Sequence, residues 1–419
     1  MNARRLATAG GLYAAVAFGL LGTWVATREL SKTDFGLFAT ALAAAGLFES
    51  LLDLTVEESL TKYGFRYIAG EDWGRLRRLF GVAIRLKALG ALLALVTLLV
   101  AAALVNDHLR ALLLVIAVLP LVQTQEDVAS TSLLLRSRYD IRAGFLVLSA
   151  VLRLAGIAVG ARYGPTEAVV GMIAAQVAAT AAISVAGFVA FRRFPGAPAR
   201  PLADDRREIV SFVAQSSVAT GIISLRTMLP PILLGFAAGT TQVGLFRVAQ
   251  APQSGLTAAS SPVRLILLTE QTRDWEHGRE RSVLAGVRRY SLAALGLMAV
   301  AVPLFYWAMP DLVRIVFPKY RDATTAARVM LFAAALQFIY GWSKSLPVSI
   351  GKPQLRIWAH GIETVVLVPL VVVFAWKWGV TGAAVAVLVS TAVFVGTWSV
   401  FVLRVRGEVA SRATTAAAS

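Results

Sequence analysis

Residues 88–105 read ALGALLALVTLLVAAALV, an eighteen-residue run with no charge and no proline. A helix that crosses a bilayer needs roughly 20 mostly apolar residues, and this run is nearly one crossing by itself. Working outward, residues 111–121, 229–246 and 291–310 are also uncharged. Hydrophobic residues make up 57% of the 419 and charged residues 16%, below the roughly one quarter usual in soluble domains. The apolar runs predict helices at 6–27, 35–57, 80–104, 109–135, 143–161, 167–191, 208–236, 243–268, 290–309, 323–346, 357–376 and 380–403. The fold expected is an all-α integral membrane protein of about twelve transmembrane helices. Arg4 and Arg5 before the first run give it the look of a signal peptide. With no small-residue cleavage site leading into a soluble domain, it reads as a retained first helix.

The charge distribution orients this chain. Of 41 Lys and Arg, the alternate segments assigned to the outside hold only Arg28, Lys32, Arg110, Arg162, Arg314, Lys319, Arg321 and Lys377. The inside segments hold the clusters, among them Arg75, Arg77, Arg78, Arg85 and Lys87, then Arg136, Arg138 and Arg142, then Arg279, Arg281, Arg288 and Arg289. The positive-inside rule then puts both termini in the cytoplasm. It also accounts for most of the net charge of +17 without a nucleic-acid partner.

One Pro-rich basic stretch, RRFPGAPARPLADDRRE at 192–208, lies near mid-chain and suggests two halves: 1–191 and 208–403, joined by a linker at 192–207 and followed by a tail at 404–419. Short repeats support this. TDFGLF at 33–38 matches TQVGLF at 241–246, an offset of 208, and RYGPT at 162–166 matches KWGVT at 377–381, an offset of 215. Both pairs stand at the outer start of an even-numbered helix. Six helices per half give the halves the same orientation, the layout of transporters that rock two pseudo-symmetric bundles around a central cavity.

Charges inside the apolar spans are the candidate functional residues, because each costs about 2.5–3.5 kcal/mol at a helix centre. Arg153, Arg226, Arg247 and Arg264 are set in predicted helices, and Arg226 precedes Pro230-Pro231 by four residues. A cavity lined by guanidinium suits a phosphate or pyrophosphate head group, which it can pair bidentately. Each Arg could instead neutralise a buried carboxylate. Arg328 and Lys344, near helix ends, are read as snorkelling to the interface. Glu49 and Asp53, one turn apart on one helix, are candidates for ion coupling and equally candidates for fixed counter-ions; Glu126, Asp127 and Glu363 are further buried acids. Prolines inside spans mark kinks.

Other chemistries lack residues. There is no cysteine, no phosphate-binding G-x-x-x-x-G-K-[ST] loop and no G-x-S-x-G elbow. His108, His277 and His360 are scattered; His360 and Glu363 form an i, i+3 pair that reads as structural, and no metal site or cofactor is expected.

SKTDFGLF at 31–38, VGLF at 243–246, FPKYRDA at 317–323, GKP at 351–353 and WGVTGAA at 378–384 together resemble the polysaccharide-biosynthesis (Wzx-type) flippases of the multidrug/oligosaccharidyl-lipid/polysaccharide exporter superfamily. The resemblance runs from about residue 6 to 403. It implies a bacterial cytoplasmic-membrane protein that flips an undecaprenyl-diphosphate-linked oligosaccharide to the outer leaflet, without enzymatic chemistry. It further implies two bundles around a V-shaped, often cationic cavity lined by helices 1, 2, 7 and 8. Membrane lipid, a proton or sodium ion and polysaccharide-assembly proteins are the implied partners. Two other functions remain open. A multidrug-type antiporter would share the fold but favour an acidic, aromatic cavity for organic cations. A membrane polymerase or ligase would need an outer loop longer than the 310–322 segment.

Overall fold

The computed structural model describes residues 3–52, 55–203, 205–352 and 354–418. Among them the chain is all α-helix with short 3-10 turns and no strand. The helices are α1 Ala3–Glu29, α2 Lys32–Leu52, α3 Val56–Ala69, α4 Trp73–Ala103, α5 Asp107–Ile116, α6 Leu119–Leu135, α7 Tyr139–Gly160, α8 Pro165–Arg192, α9 Asp205–Ala238, α10 Thr240–Ala249, α11 Ala251–Glu276, α12 Glu280–Val316, α13 Thr324–Ile339, α14 Leu346–Ser349 and α15 Gln354–Ala418. Nine helical stretches among the described residues are long and apolar enough to cross a membrane. The last of them, Gln354–Val409, has the length of two crossings: Gly379, at φ 56° and ψ −135°, breaks α15 there. The α1 and α10–α11 segments fall outside this set. The chain is therefore a multi-pass membrane protein. It gathers into two compact units, 1–232 and 233–419.

Several boundaries differ from expectation for identifiable reasons. The span expected over 35–57 stops at Leu52, and the segment after it is a helix, α3, not a loop. Its many charges hid an amphipathic period. Val56, Leu60, Tyr63 and Tyr67 are buried on one face, and Glu58, Lys62 and Arg66 stand exposed on the other. The 109–135 span is broken at 117–118, just ahead of Pro120, and the 243–268 span at Gln250, just ahead of Pro252. Proline fits the first turn of a helix, where no intrahelical donor is required, so each proline opens the second piece. Arg85 and Lys87, counted with the inner-side charges at the start of the helix expected over 80–104, lie well inside α4, which begins at Trp73, and Arg142 lies in the first turn of α7.

In the first unit, α2 opens on a side-chain cap from Ser31. The Ser31 hydroxyl accepts from the Asp34 amide at 3.1 Å and donates to the Asp34 carboxylate at 2.7 Å. Small residues then set how closely helices approach. A Cβ on Gly156 would drive into the Gly171 carbonyl, and one on Gly171 into the Gly156 carbonyl, so α7 and α8 touch backbone to backbone. A Cβ on Gly160 would strike the Glu167 carbonyl.

The second unit repeats this hairpin at an offset of 215. A Cβ on Gly382 would strike the backbone between Phe374 and Ala375, the counterparts of 159 and 160. The close approach is kept while the glycine changes sides. Where α15 breaks, the freed Val380 amide donates to the Gln242 side chain at 2.9 Å, so the start of α10 caps the second arm. The VGLF quartet that follows Gln242 is buried throughout, as is FGLF at 35–38 in the first unit. Arg328 does not simply reach for solvent. Its Nε donates to the Tyr306 carbonyl at 3.0 Å, with its guanidinium 4.4 Å over the Tyr306 ring. That carbonyl would ordinarily accept from residue 310, which is proline and has no N–H, so Arg328 supplies the missing donor.

Candidate functional site

The polar interior of the first unit is built by α2, α4, α6 and α8. Lys87, one residue before the apolar run of α4, is 4% exposed and donates to Asp127 on α6 at 2.5 Å. One turn earlier on α6, the Gln123 side-chain amide meets Glu49 of α2; assigned with its nitrogen toward the carboxylate, as two facing acceptors require, it donates to both oxygens at 2.7 and 2.9 Å. Glu49, Lys87, Gln123 and Asp127 line one small cavity together with Thr124. Glu126 faces the opposite way: Gln176 on α8 donates to it at 2.5 Å and Thr180 reaches it at 3.5 Å. Arg153 on α7 acts on the Glu126 carboxylate electrostatically. Buried ions are tolerated in an apolar span when each finds a partner, and this cluster is arranged so.

Glu49 is therefore a half-buried carboxylate held by an amide. Asp53 lies outside the described residues. Lys87 was missed by the sequence reading, which put it with the inner-side cations. The available signal was its position at the head of an eighteen-residue uncharged run, 14 residues past the start of α4.

Arg226 sits on α9, half-buried. The helix runs antiparallel to α2–α3, as three rungs show. The Thr55 amide donates to Ser217 Oγ at 3.1 Å, Gly221 meets Leu51, and Met228 meets Gly46. These rungs set Arg226 level with the stretch of α2 that carries Glu49. Pro230 and Pro231 remove the N–H groups that would bond the carbonyls of Arg226 and Thr227, opening the α9 ladder next to the arginine. At its start α9 is tied to α3 and α4. Arg66 grips Glu208 at 3.0 and 3.2 Å, Arg75 meets Asp205 at 3.2 Å, and the Tyr67 hydroxyl donates to Asp205 at 2.8 Å. Burial first, then that bond, pushes the Tyr67 phenol well above its ordinary pKa.

In the second unit Arg247 on α10 is half-buried and donates to Gln250 at 3.3 Å. Arg264 belongs to α11, and its side chain is outside the described residues. The Gln337 amide on α13 donates to Thr391 on α15 at 3.3 Å. Gln253 donates to Gln337 at 3.0 Å. His360 and Glu363 pair at 3.1 Å, both buried, with the imidazole stacked 4.9 Å from Phe394. Of the four arginines expected to hold substrate, the first unit thus carries Arg153 and Arg226, and the second carries Arg247 and Arg264.

The fold matches transporters of known structure. A lipid II flippase in an inward closed conformation aligns at a TM-score of 0.72 and 13% identity, over 96% of this chain and 89% of that one. A multidrug-resistance transporter in an inward-facing conformation aligns at 0.69 and 14%, over 99% and 96%. A transporter of the same superfamily from Pyrococcus furiosus, described as having a binding pocket of reverse polarity, aligns at 0.66 and 12%, over 97% and 96%. No curated protein matches this sequence. The model of one family, "Polysaccharide biosynthesis protein", matches residues 6–263, more than half of the chain. With that match, the chain belongs to the polysaccharide biosynthesis protein family.

Proposed function

We propose that the protein flips an oligosaccharide linked to a lipid diphosphate, with undecaprenyl diphosphate as carrier, from the inner to the outer leaflet of a bacterial cytoplasmic membrane for surface polysaccharide synthesis. The observation that carries this reading is the family match together with cations set inside apolar helices, Arg226 on α9 and Arg247 on α10. Guanidinium groups in a low-dielectric site favour a diphosphate and disfavour an organic cation. The neighbour described as a lipid II flippase supports the same substrate class. Transport runs by alternating access of the halves 1–191 and 208–403 across the linker 192–207, with both termini cytoplasmic. Arg226 and Arg247 bind the head group, with Arg264 and Arg153 contributing. Glu49 and Asp53 couple the cycle to a proton or sodium ion, and polysaccharide-assembly proteins hand over and receive the substrate.

The test is complementation of a flippase-deficient strain. Arg226→Ala and Arg247→Ala should each insert at wild-type levels and abolish surface polysaccharide. Normal polysaccharide in both removes the cationic site. Coupling is read separately in liposomes, where flipping indifferent to proton and sodium gradients removes the role of Glu49 and Asp53. The second reading, a multidrug-type antiporter, is favoured by the likeness to multidrug transporters; drug-stimulated ion flux without lipid flipping would establish it.

A further inference from the structure

Within the second unit, the first turns of α12 and the late turns of α15 wall a groove of about 600 Å³, inside the range of about 300–1,000 Å³ typical of small-molecule sites. Arg281 and Arg288 project from one wall and Arg406 from the other, all three exposed. Among the described residues none of the three makes an ion pair or hydrogen bond, whereas Arg66, Arg75, Arg142 and Arg279 of similar charged ends each hold a carboxylate. The floor is rigid. Tyr340 and Trp342, their rings 5.4 Å apart, are each tied to a wall: Trp342 Nε1 donates to Ser291 of α12 at 2.8 Å, and the Tyr340 hydroxyl bonds Ser399 of α15 at 2.9 Å. Leu284, Val402 and Leu403 complete the walls with apolar surface. The spacing is helical on both sides, 281, 284, 288 and 291 on α12 against 399, 402, 403 and 406 on α15, so one face of each helix is given to the groove.

Three guanidinium groups set along an apolar, aromatic-floored groove, unpaired among the described residues, match an amphiphile with an anionic head. The helix ends bearing the arginines are the ones the Lys and Arg distribution assigns to the cytoplasm. We propose that the groove holds an anionic phospholipid of the cytoplasmic leaflet, its phosphate on Arg281, Arg288 and Arg406 and its first acyl methylenes against Leu284, Val402 and Leu403. This lipid site is separate from the substrate arginines Arg226 and Arg247.

Binding can be read without transport, so its failure is distinct from failure of the flippase reading. Purified full-length protein is titrated with dioleoyl-phosphatidylglycerol, dioleoyl-phosphatidylcholine or inorganic phosphate. Bound lipid is counted by native mass spectrometry, and the unfolding temperature is followed in parallel. Phosphatidylglycerol should bind and raise the unfolding temperature above the phosphatidylcholine value, and inorganic phosphate should not displace it. Each Arg→Gln change at 281, 288 or 406 should weaken binding about fivefold, and the triple variant about a hundredfold. Arg288→Lys should keep most of it. Equal binding of the two lipids, displacement by inorganic phosphate, or wild-type affinity in the triple variant overturns the proposal. If the triple variant does not fold, wild-type affinity in Arg288→Gln overturns it alone.

Discussion

The hydrogen-bonded networks inside the two units are built from different kinds of side chain. In the first unit Glu49, Lys87, Glu126 and Asp127 bring ionisable groups into apolar helices, each with a partner. In the second, Gln253, Gln337 and Thr391 hold a neutral chain of hydrogen bonds. A neutral amide network orients helices at little electrostatic cost, whereas ions in a membrane interior are expensive and are kept where charge is used. The contrast is between these two networks and not between whole units, because the second unit carries ionisable groups of its own in Arg247 on α10 and in the buried His360–Glu363 pair.

The sharpest way to break this comparison is through Lys87 and Asp127, whose exposures are 4% and 40%. Asp127→Leu takes the 2.5 Å carboxylate away from a buried ammonium and should destabilise the protein by up to about 3–5 kcal/mol. Lys87→Met leaves a carboxylate that water can still reach and should cost less. The measurement is unfolding temperature in detergent, and the order of the two variants is the test. The double variant Lys87→Met/Asp127→Leu should recover most stability; if it also restores flipping, the pair is a structural strut and the contrast between the networks loses its functional meaning.

A smaller effect probes the neutral side. Gln337→Leu removes the centre of the amide chain and should cost about 1–3 kcal/mol through partners left unsatisfied at Gln253 and Thr391. A loss as large as that of Asp127→Leu would erase the asymmetry. Arg328→Leu should cost about 1–3 kcal/mol by orphaning the Tyr306 carbonyl, and a second change, Pro310→Ala, should return much of it by restoring the N–H. The smallest effect belongs to the exposed ties of α9. Arg66→Ala should lower stability measurably only at low salt, because the Arg66–Glu208 pair is screened. An undiminished loss at high salt would mean that Arg66 acts through packing.

Much of this was legible in sequence. The apolar runs placed the helices, and TDFGLF and TQVGLF marked two related elements that are in fact buried alike. Pro120 reads as a kink in its span and proves to open a new helix, whereas the break just ahead of Pro252 was not expected. What escaped had a common cause. The run of charges at 57–78 looked like a loop because charge count outweighed the 3.6-residue period of Val56, Leu60, Tyr63 and Tyr67. Lys87 counted as one more inner-side cation because its partner, Asp127, is forty residues away.

By itself, the sequence determined the local choices: that this chain is helical, that its helices belong in a membrane, where they start and kink, and that it carries the motifs of its family. Hydropathy, capping and the missing N–H of proline act within a few residues and can be read off a string. Only the tertiary structure decided which partner each charge finds: Asp127 for Lys87 as an ion pair, the Gln123 and Gln176 amides for Glu49 and Glu126, and for Arg328 a carbonyl that a proline had left bare. Those pairings depend on which helix faces meet, and faces meet according to packing between segments far apart in the chain. The same packing leaves Arg281, Arg288 and Arg406 around one groove with no partner of their own among the described residues.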